Sequence, residues 1–215
     1  HDRETNELVL MKPGDFGGFL QENYFLANYN LEQAAAVLQQ VGLRAGMRLT
    51  AAQLLARGFD VFRLNFRDHG DTHHLNEDLF HSNRLDEVVH AALDVSRRFA
   101  GDVPMRVAGY SLGGNFALRV ALHAPAAGIA LTHAVAVCPV ISPGAGLTAI
   151  ESAPWFYERY FLIKWGGSLK RKQALYPGSF AFTRRELRDN LRGLTRLLVE
   201  RHTDFGTLEN YLDGY

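Results

Sequence analysis

The sequence predicts an α/β fold: a mostly parallel sheet with flanking helices, followed by a helical cap. Three observations carry that prediction. Apolar segments with strand spacing alternate with amphipathic helical ones between residues 50 and 141. The links between them are short, and the one before Asn115 is glycine-rich. After Ser142 strand signals give way to aromatic and basic helical segments. Strands and helices in strict alternation imply parallel strands joined by right-handed crossovers. At 215 residues, 47% hydrophobic and 21% charged, the chain is long enough to bury one sizeable core with an appendage.

Three segments follow. Residues 1–49 form a divergent N-terminal segment, in which Glu7–Met11 reads as a short strand. Asn30–Val41 reads as a helix opened by an Asn30/Gln33 capping box. Residues 50–141 form the core. Thr50 is expected to cap a helix with Gln53, and Gly58 to end it. Asp60–Phe66 is a strand with Phe62, Leu64 and Phe66 on one face. Ser82 opens a helix whose stripe is Leu85, Val88, Val89, Ala92, Val95 and Phe99, and Gly101 stops it. Pro104–Gly109 is the next strand. Asn115–His123 is a helix ended by Pro125, and Leu131–Val140 is a strand apolar enough to be buried on both faces. Residues 142–215 form the cap.

Charge and cysteine content exclude several classes. Lys and Arg number 23 against 23 Asp and Glu, so the basic excess that phosphate-driven nucleic-acid binding needs is missing. The single cysteine, Cys138, excludes an internal disulfide and a multi-cysteine zinc site, and fits a reducing, cytoplasmic setting. The longest apolar stretch, Ala126–Ile141, is interrupted by Thr132 and His133 and is too short to span a bilayer. The chain opens on His1-Asp2-Arg3-Glu4, without Met and without a signal-peptide core, as expected of a processed product or a piece of a longer reading frame.

Gly109-Tyr110-Ser111-Leu112-Gly113 is a G-x-S-x-G pentapeptide, followed by Gly114. It stands between an apolar strand and an apolar helix, the setting of a nucleophile elbow. Such an elbow holds a serine in a strained turn, and the flanking glycines let strand and helix backbones pass closely. Ser111 Oγ would then project above the sheet as a nucleophile. The Leu112 N–H, at the helix N-terminus, would stabilise an oxyanion. The plain alternative is a glycine-rich βα turn that binds phosphate, but neither G-x-G-x-x-G nor a P-loop is present.

Around this motif the chain resembles a known family, the YheT-like α/β-hydrolases, related to the medium-chain fatty-acid ethyl-ester synthase/esterases. The matching segments are Phe62-Arg63-Leu64-Asn65-Phe66-Arg67 with His69-Gly70, and Gly109 through Asn115. Cys138-Pro139-Val140, Tyr157-Glu158-Arg159-Tyr160-Phe161 and Ala174-Leu175-Tyr176-Pro177 match as well. The resemblance implies an α/β-hydrolase-like sheet and a serine hydrolase of carboxylic esters with short or medium acyl chains. Ser111 would be the nucleophile, beneath a helical cap, with a small-molecule ester as substrate and no organic cofactor or metal. In the family the acid follows a strand beyond the cap and the histidine follows the last strand. Neither position exists among these residues, so the pair is expected beyond Tyr215 and the sheet is expected to be incomplete at its C-terminal edge. The family's upstream strand ending in His-Gly has only a weak counterpart, Leu8–Met11 followed by Lys12-Pro13-Gly14. The competing reading is a truncated or rearranged hydrolase-like scaffold without a working triad.

Other residues are candidates for a base or a ligand. His202 with Asp204 reads as a solvated surface pair, and His123 as a helix-terminal cation. Asp68-His69-Gly70-Asp71-Thr72-His73-His74 carries enough imidazoles and carboxylates for an open zinc site. A polar loop after a strand is the preferred reading. Asp68 stands where the family has Gly, which points to a strained or rebuilt turn. Trp155, Phe156, Tyr157, Tyr160, Phe161 and Trp165, followed by Lys170, Arg171 and Lys172, either pack the cap onto the sheet, the favoured reading, or meet a lipid or membrane surface. Val41–Leu49 resembles the lead-in to a methyltransferase nucleotide motif, but Thr50-Ala51-Ala52 stands where the glycine-rich turn should follow.

Overall fold

The computed structural model describes residues 50–215 and the backbone of residues 9–11 and 24–27. The expected Asn30–Val41 helix and the Val41–Leu49 stretch lie outside the described residues. The chain divides into two compact units. One takes in residues up to Phe66 together with Arg84–Val140; the other takes in Arg67–Asn83 and Ile141–Tyr215.

The first unit is built on five strands: β1 (Val9–Met11), β2 (Tyr24–Ala27), β3 (Val61–Leu64), β4 (Met105–Tyr110) and β5 (Leu131–Val137). Their order across the sheet is β1-β3-β2-β4-β5. β4 and β5 pair in parallel, with Tyr110 opposite Val137. β2 runs antiparallel to both β3 and β4, and β1 antiparallel to β3. Hence β3, β4 and β5 share one direction, but β2 lies antiparallel between β3 and β4, so of the pairings described only β4–β5 is parallel where a mostly parallel sheet was expected.

Helical residues 50–55 end where the sequence places the stop. Gly58 takes φ +84°, its N–H bonds Leu55 O at 3.0 Å, and the Phe59 N–H bonds Leu54 O at 3.2 Å. This is the Schellman arrangement that a left-handed glycine permits. Thr50, expected as the cap, already lies within the helix, and its hydroxyl hydrogen-bonds the Tyr110 hydroxyl at 3.2 Å. All four β3 residues are buried, with Val61 joining Ala51, Leu54 and Leu55 in one cluster. Phe66 stacks 4.6 Å from the fully buried Phe116.

Helix α1 (Leu85–Val95) buries Val88, Ala92 and Val95, continues through a wider turn over Ser96–Ala100, and stops at Gly101 (φ +55°). It begins later than expected. Ser82 is buried, its N–H donating to Tyr211 Oη at 3.0 Å, so it is committed elsewhere, and Asp86 and Glu87 supply the negative charge that a first turn favours. Helix α2 (Leu112–Ala127) runs past Pro125, which was expected to end it. In the last turn a proline forfeits one helical bond, and its carbonyl is still used. Gly128 (φ +73°) donates to Pro125 O and Ile129 to Ala124 O, a second Schellman stop.

The expectation that β5 is buried on both faces fails. It is the last strand of the sheet, and all of its residues are at least partly exposed. Its apolar sequence is that of an interior strand, yet among the described residues only β4 pairs with it.

The second unit contains only helices among its described residues: α3 (Pro143–Ser152), α4 (Trp155–Leu175), α5 (Leu191–His202) and α6 (Leu208–Asp213), with single turns over Thr72–His74 and Glu186–Arg188. Ser142, Asn190 and Thr207 cap α3, α5 and α6, each side chain accepting a backbone N–H. The core is Leu79, Leu169, Phe180, Phe182, Leu194 and Leu198, with Leu162 and Trp165 packed against it.

Candidate active site

Ser111 is the single residue between β4 and α2, and the chain reverses there. Its backbone takes φ +50° and ψ −121°, a conformation that glycine adopts easily and a side-chain-bearing residue only under strain. Two hydrogen bonds pin it: the Ser111 N–H donates to Val137 O at 2.9 Å, and Ser111 O accepts from the Asn115 N–H at 3.1 Å. The flanking glycines are required by space. A Cβ on Gly109 would lie 2.1 Å from Gly113 O and 2.8 Å from Gly114 N, both backbone atoms. A Cβ on Gly114 would lie 3.1 Å from Pro139 Cβ and 3.2 Å from Gly109 O.

The consequence is a presented hydroxyl. Ser111 is exposed, and among the described residues no side chain hydrogen-bonds its Oγ. Leu112, Gly113 and Gly114 form the first turn of α2, where N–H groups have no intrahelical acceptor and concentrate partial positive charge. Tyr110 closes β4. Burial pushes its phenol pKa up, partly offset by the hydrogen bond with Thr50.

A second wall was not legible as a site element. Val137 O holds the serine N–H, and the next residue, Cys138, is itself left-handed at φ +47° with an exposed side chain. Pro139 then packs on Gly114, and Val140 O accepts Asn115 Nδ2 at 2.8 Å. Asn115 is buried and its Oδ1 also accepts from Arg119 at 3.4 Å. The turn after β5 is therefore tied to the first turn of α2 at three points. An amide side chain directly after the double glycine, and a Cys-Pro after the strand, are the available signals.

The histidines weighed as bases have other roles. His202 is half-buried, its ring 5.1 Å from Phe180 and 5.6 Å from Phe182, so it is not the solvated partner of Asp204; burial, then the neighbouring Arg201, pushes its pKa down. His123 is exposed on α2, which continues four residues beyond it.

The Asp68–His74 loop is knitted to α4. Lys172, fully buried, donates to Asp68 Oδ1 at 2.7 Å, to His73 O at 3.2 Å and to Asn76 O. The Phe80 N–H donates to Asp68 Oδ2 at 2.8 Å, and Asp68 sits at φ +59°, so this turn is strained. His73 Nε2 meets Ser168 Oγ at 2.7 Å, while its buried Nδ1 has no hydrogen-bond partner among the described residues. His69 Nδ1 donates to Arg67 O at 2.8 Å. Although it pairs a serine with a histidine, the Ser168–His73 contact lies in the middle of a helix, where N–H groups are already bonded and none is free to hold an oxyanion. Among the described residues no three His, Cys, Asp or Glu side chains converge as a metal-ligand set.

Comparison with known proteins gives one match. The model of the alpha/beta hydrolase family aligns with residues 39–213, most of the chain. No curated protein and no solved structure matches. Among the described residues no helix is long and apolar enough to cross a membrane.

Proposed function

Because the chain belongs to the alpha/beta hydrolase family, we propose that it is a serine hydrolase of carboxylic esters working through an acyl-enzyme on Ser111. The observation that carries this reading is the backbone of Ser111 itself: a non-glycine residue at φ +50° between β4 and α2, exposed and beside first-turn N–H groups that have no acceptor within the helix. Strain of this kind persists only where the surroundings enforce it, and here it presents a nucleophile. Ser111 Oγ attacks the ester carbonyl carbon and gives up its proton to a base. The developing oxyanion faces the Leu112 N–H, the alcohol leaves, and water then releases the acid from the acyl-serine. Resemblance to the YheT-like hydrolases supports short or medium acyl chains.

The base and its acid partner are not identified among the described residues. That observation favours a second reading, a hydrolase-like scaffold that keeps the elbow without turnover. A fluorophosphonate probe separates the two. Covalent labelling that disappears in Ser111→Ala supports the hydrolase. A folded protein that takes no label supports the scaffold, and label retained by Ser111→Ala shows that another residue is the nucleophile.

A further inference from the structure

We propose that the outward face of α4 docks on an anionic lipid surface. Of the six aromatics in its first half, Trp155, Phe156, Tyr157 and Tyr160 are exposed, with Trp155 at 76% and Phe156 at 60%; Ile163 is at 61%. These four therefore do not follow the favoured expectation that the aromatics pack the cap onto the sheet, and Trp165 packs instead against the core of its own unit. Phe156, Tyr160 and Ile163 are spaced i, i+4, i+7 and form one stripe, on the far side of the helix from the buried Leu169 and Lys172.

Charge selects the occupant. Arg159 and Lys164 flank this stripe on either side, and Lys170 and Arg171 follow it further along the helix, all exposed, with Arg171 also donating to Gly70 O at 3.1 Å. The helix's one carboxylate, Glu158, is turned away and accepts the Leu191 N–H at 2.9 Å. The whole chain has zero formal charge, so this concentration of cations is local to the helix. An apolar stripe with Trp and Tyr at its edge and cations on either side fits a helix lying in the plane of an anionic headgroup layer. A protein partner would require a shaped apolar surface with carboxylates. A bilayer supplies apolar depth and distributed negative charge without either.

This proposal is independent of the ester-hydrolase reading, and the Ser111→Ala protein should bind as the wild type does. The test uses Trp155 as reporter in a Trp165→Phe background, with vesicles of equimolar phosphatidylglycerol and phosphatidylcholine against vesicles of phosphatidylcholine alone. The expected result is a blue shift of Trp155 emission and protection from an aqueous quencher on the anionic vesicles. Co-sedimentation should weaken about fivefold for each of Arg159→Gln and Lys164→Gln, fall further with salt, and be lost in Phe156→Ser/Ile163→Ser. Circular dichroism of each variant confirms that the helix remains. Equal binding to both vesicle types, binding insensitive to salt, or no shift on either would overturn the proposal. So would a dimer in sedimentation that Phe156→Ser/Ile163→Ser dissolves, since the face would then belong to a second copy of the chain.

Discussion

Ser111 and Asp68 both take a positive φ that side-chain-bearing residues avoid, +50° and +59°, and use it in opposite ways. At Ser111 the strain is held by neighbours: Val137 O, the Asn115 N–H, and glycines that allow close approach. Its own hydroxyl is uncommitted among the described residues. At Asp68 the strain is held by the side chain itself, one carboxylate oxygen on Lys172 and the other on the Phe80 N–H. One residue is strained so that its side chain stays available; the other is strained because its side chain is anchored. Backbone strain alone therefore does not mark a reactive residue, and the state of the side chain decides.

Ser111→Ala gives the largest expected effect. Ester turnover should fall by a factor on the order of 10⁴ in kcat, with no loss of stability, as read by p-nitrophenyl ester hydrolysis alongside urea unfolding. A substantial residual rate would mean the uncommitted hydroxyl is not the nucleophile. The counterpart at the other strained residue is Lys172→Met. Removing one member of a buried ion pair leaves the Asp68 carboxylate without its cation and should cost about 3–5 kcal/mol, with labelling of Ser111 unchanged in protein that remains folded. Asp68→Gly/Lys172→Met, which removes both charges and the left-handed strain together, should recover most of that loss. A Lys172→Met protein as stable as wild type would show that the pair does not hold the turn.

The elbow was legible because everything that forms it lies within a few residues: Gly109, Ser111, Gly113 and Gly114, a strand before and a helix after. The Asp68–Lys172 pair was not, since its members lie 104 positions apart and neither residue type is expected in a core. β5 failed for a related reason. An apolar run states that a strand is suited to burial, but which neighbours cover it is decided by the rest of the sheet. Helix stops at Gly58, Gly101 and Gly128 depend on local left-handed geometry; at Gly58 and Gly101 a lone glycine signals the stop, whereas at Gly128 the preceding Pro125 masks it.

Two substitutions sharpen the comparison at the elbow itself. Gly109→Ala places a methyl carbon against the Gly113 carbonyl, a backbone atom that cannot rotate away, and should cost about 1–3 kcal/mol or more along with loss of labelling. Ser111→Gly should be more stable than Ser111→Ala by roughly 1–3 kcal/mol, because glycine takes φ +50° with ψ −121° freely and alanine does not. Urea midpoints of the pair measure this directly. Equal midpoints would mean that the turn relaxes once the hydroxyl is gone.

The smallest expected effect concerns pH. His73, beside the anchored Asp68, has its pKa pushed below 6.5, chiefly because burial disfavours the imidazolium. The Asp68 carboxylate opposes that shift, while Arg171, Lys172 and His69 add to it. His202, against Phe180 and Phe182, is shifted the same way. Between the folded pKa and 6.5 the unfolded chain binds more protons than the native one, so stability is full above 6.5 and declines as pH falls through that window. His73→Gln removes the titrating ring and should flatten this decline, leaving the share due to His202. Urea unfolding of wild type and variant across mildly acidic pH measures the difference. A wild-type stability that rises on acidification would place the proton on folded His73 and make Asp68, not burial, the dominant influence on it.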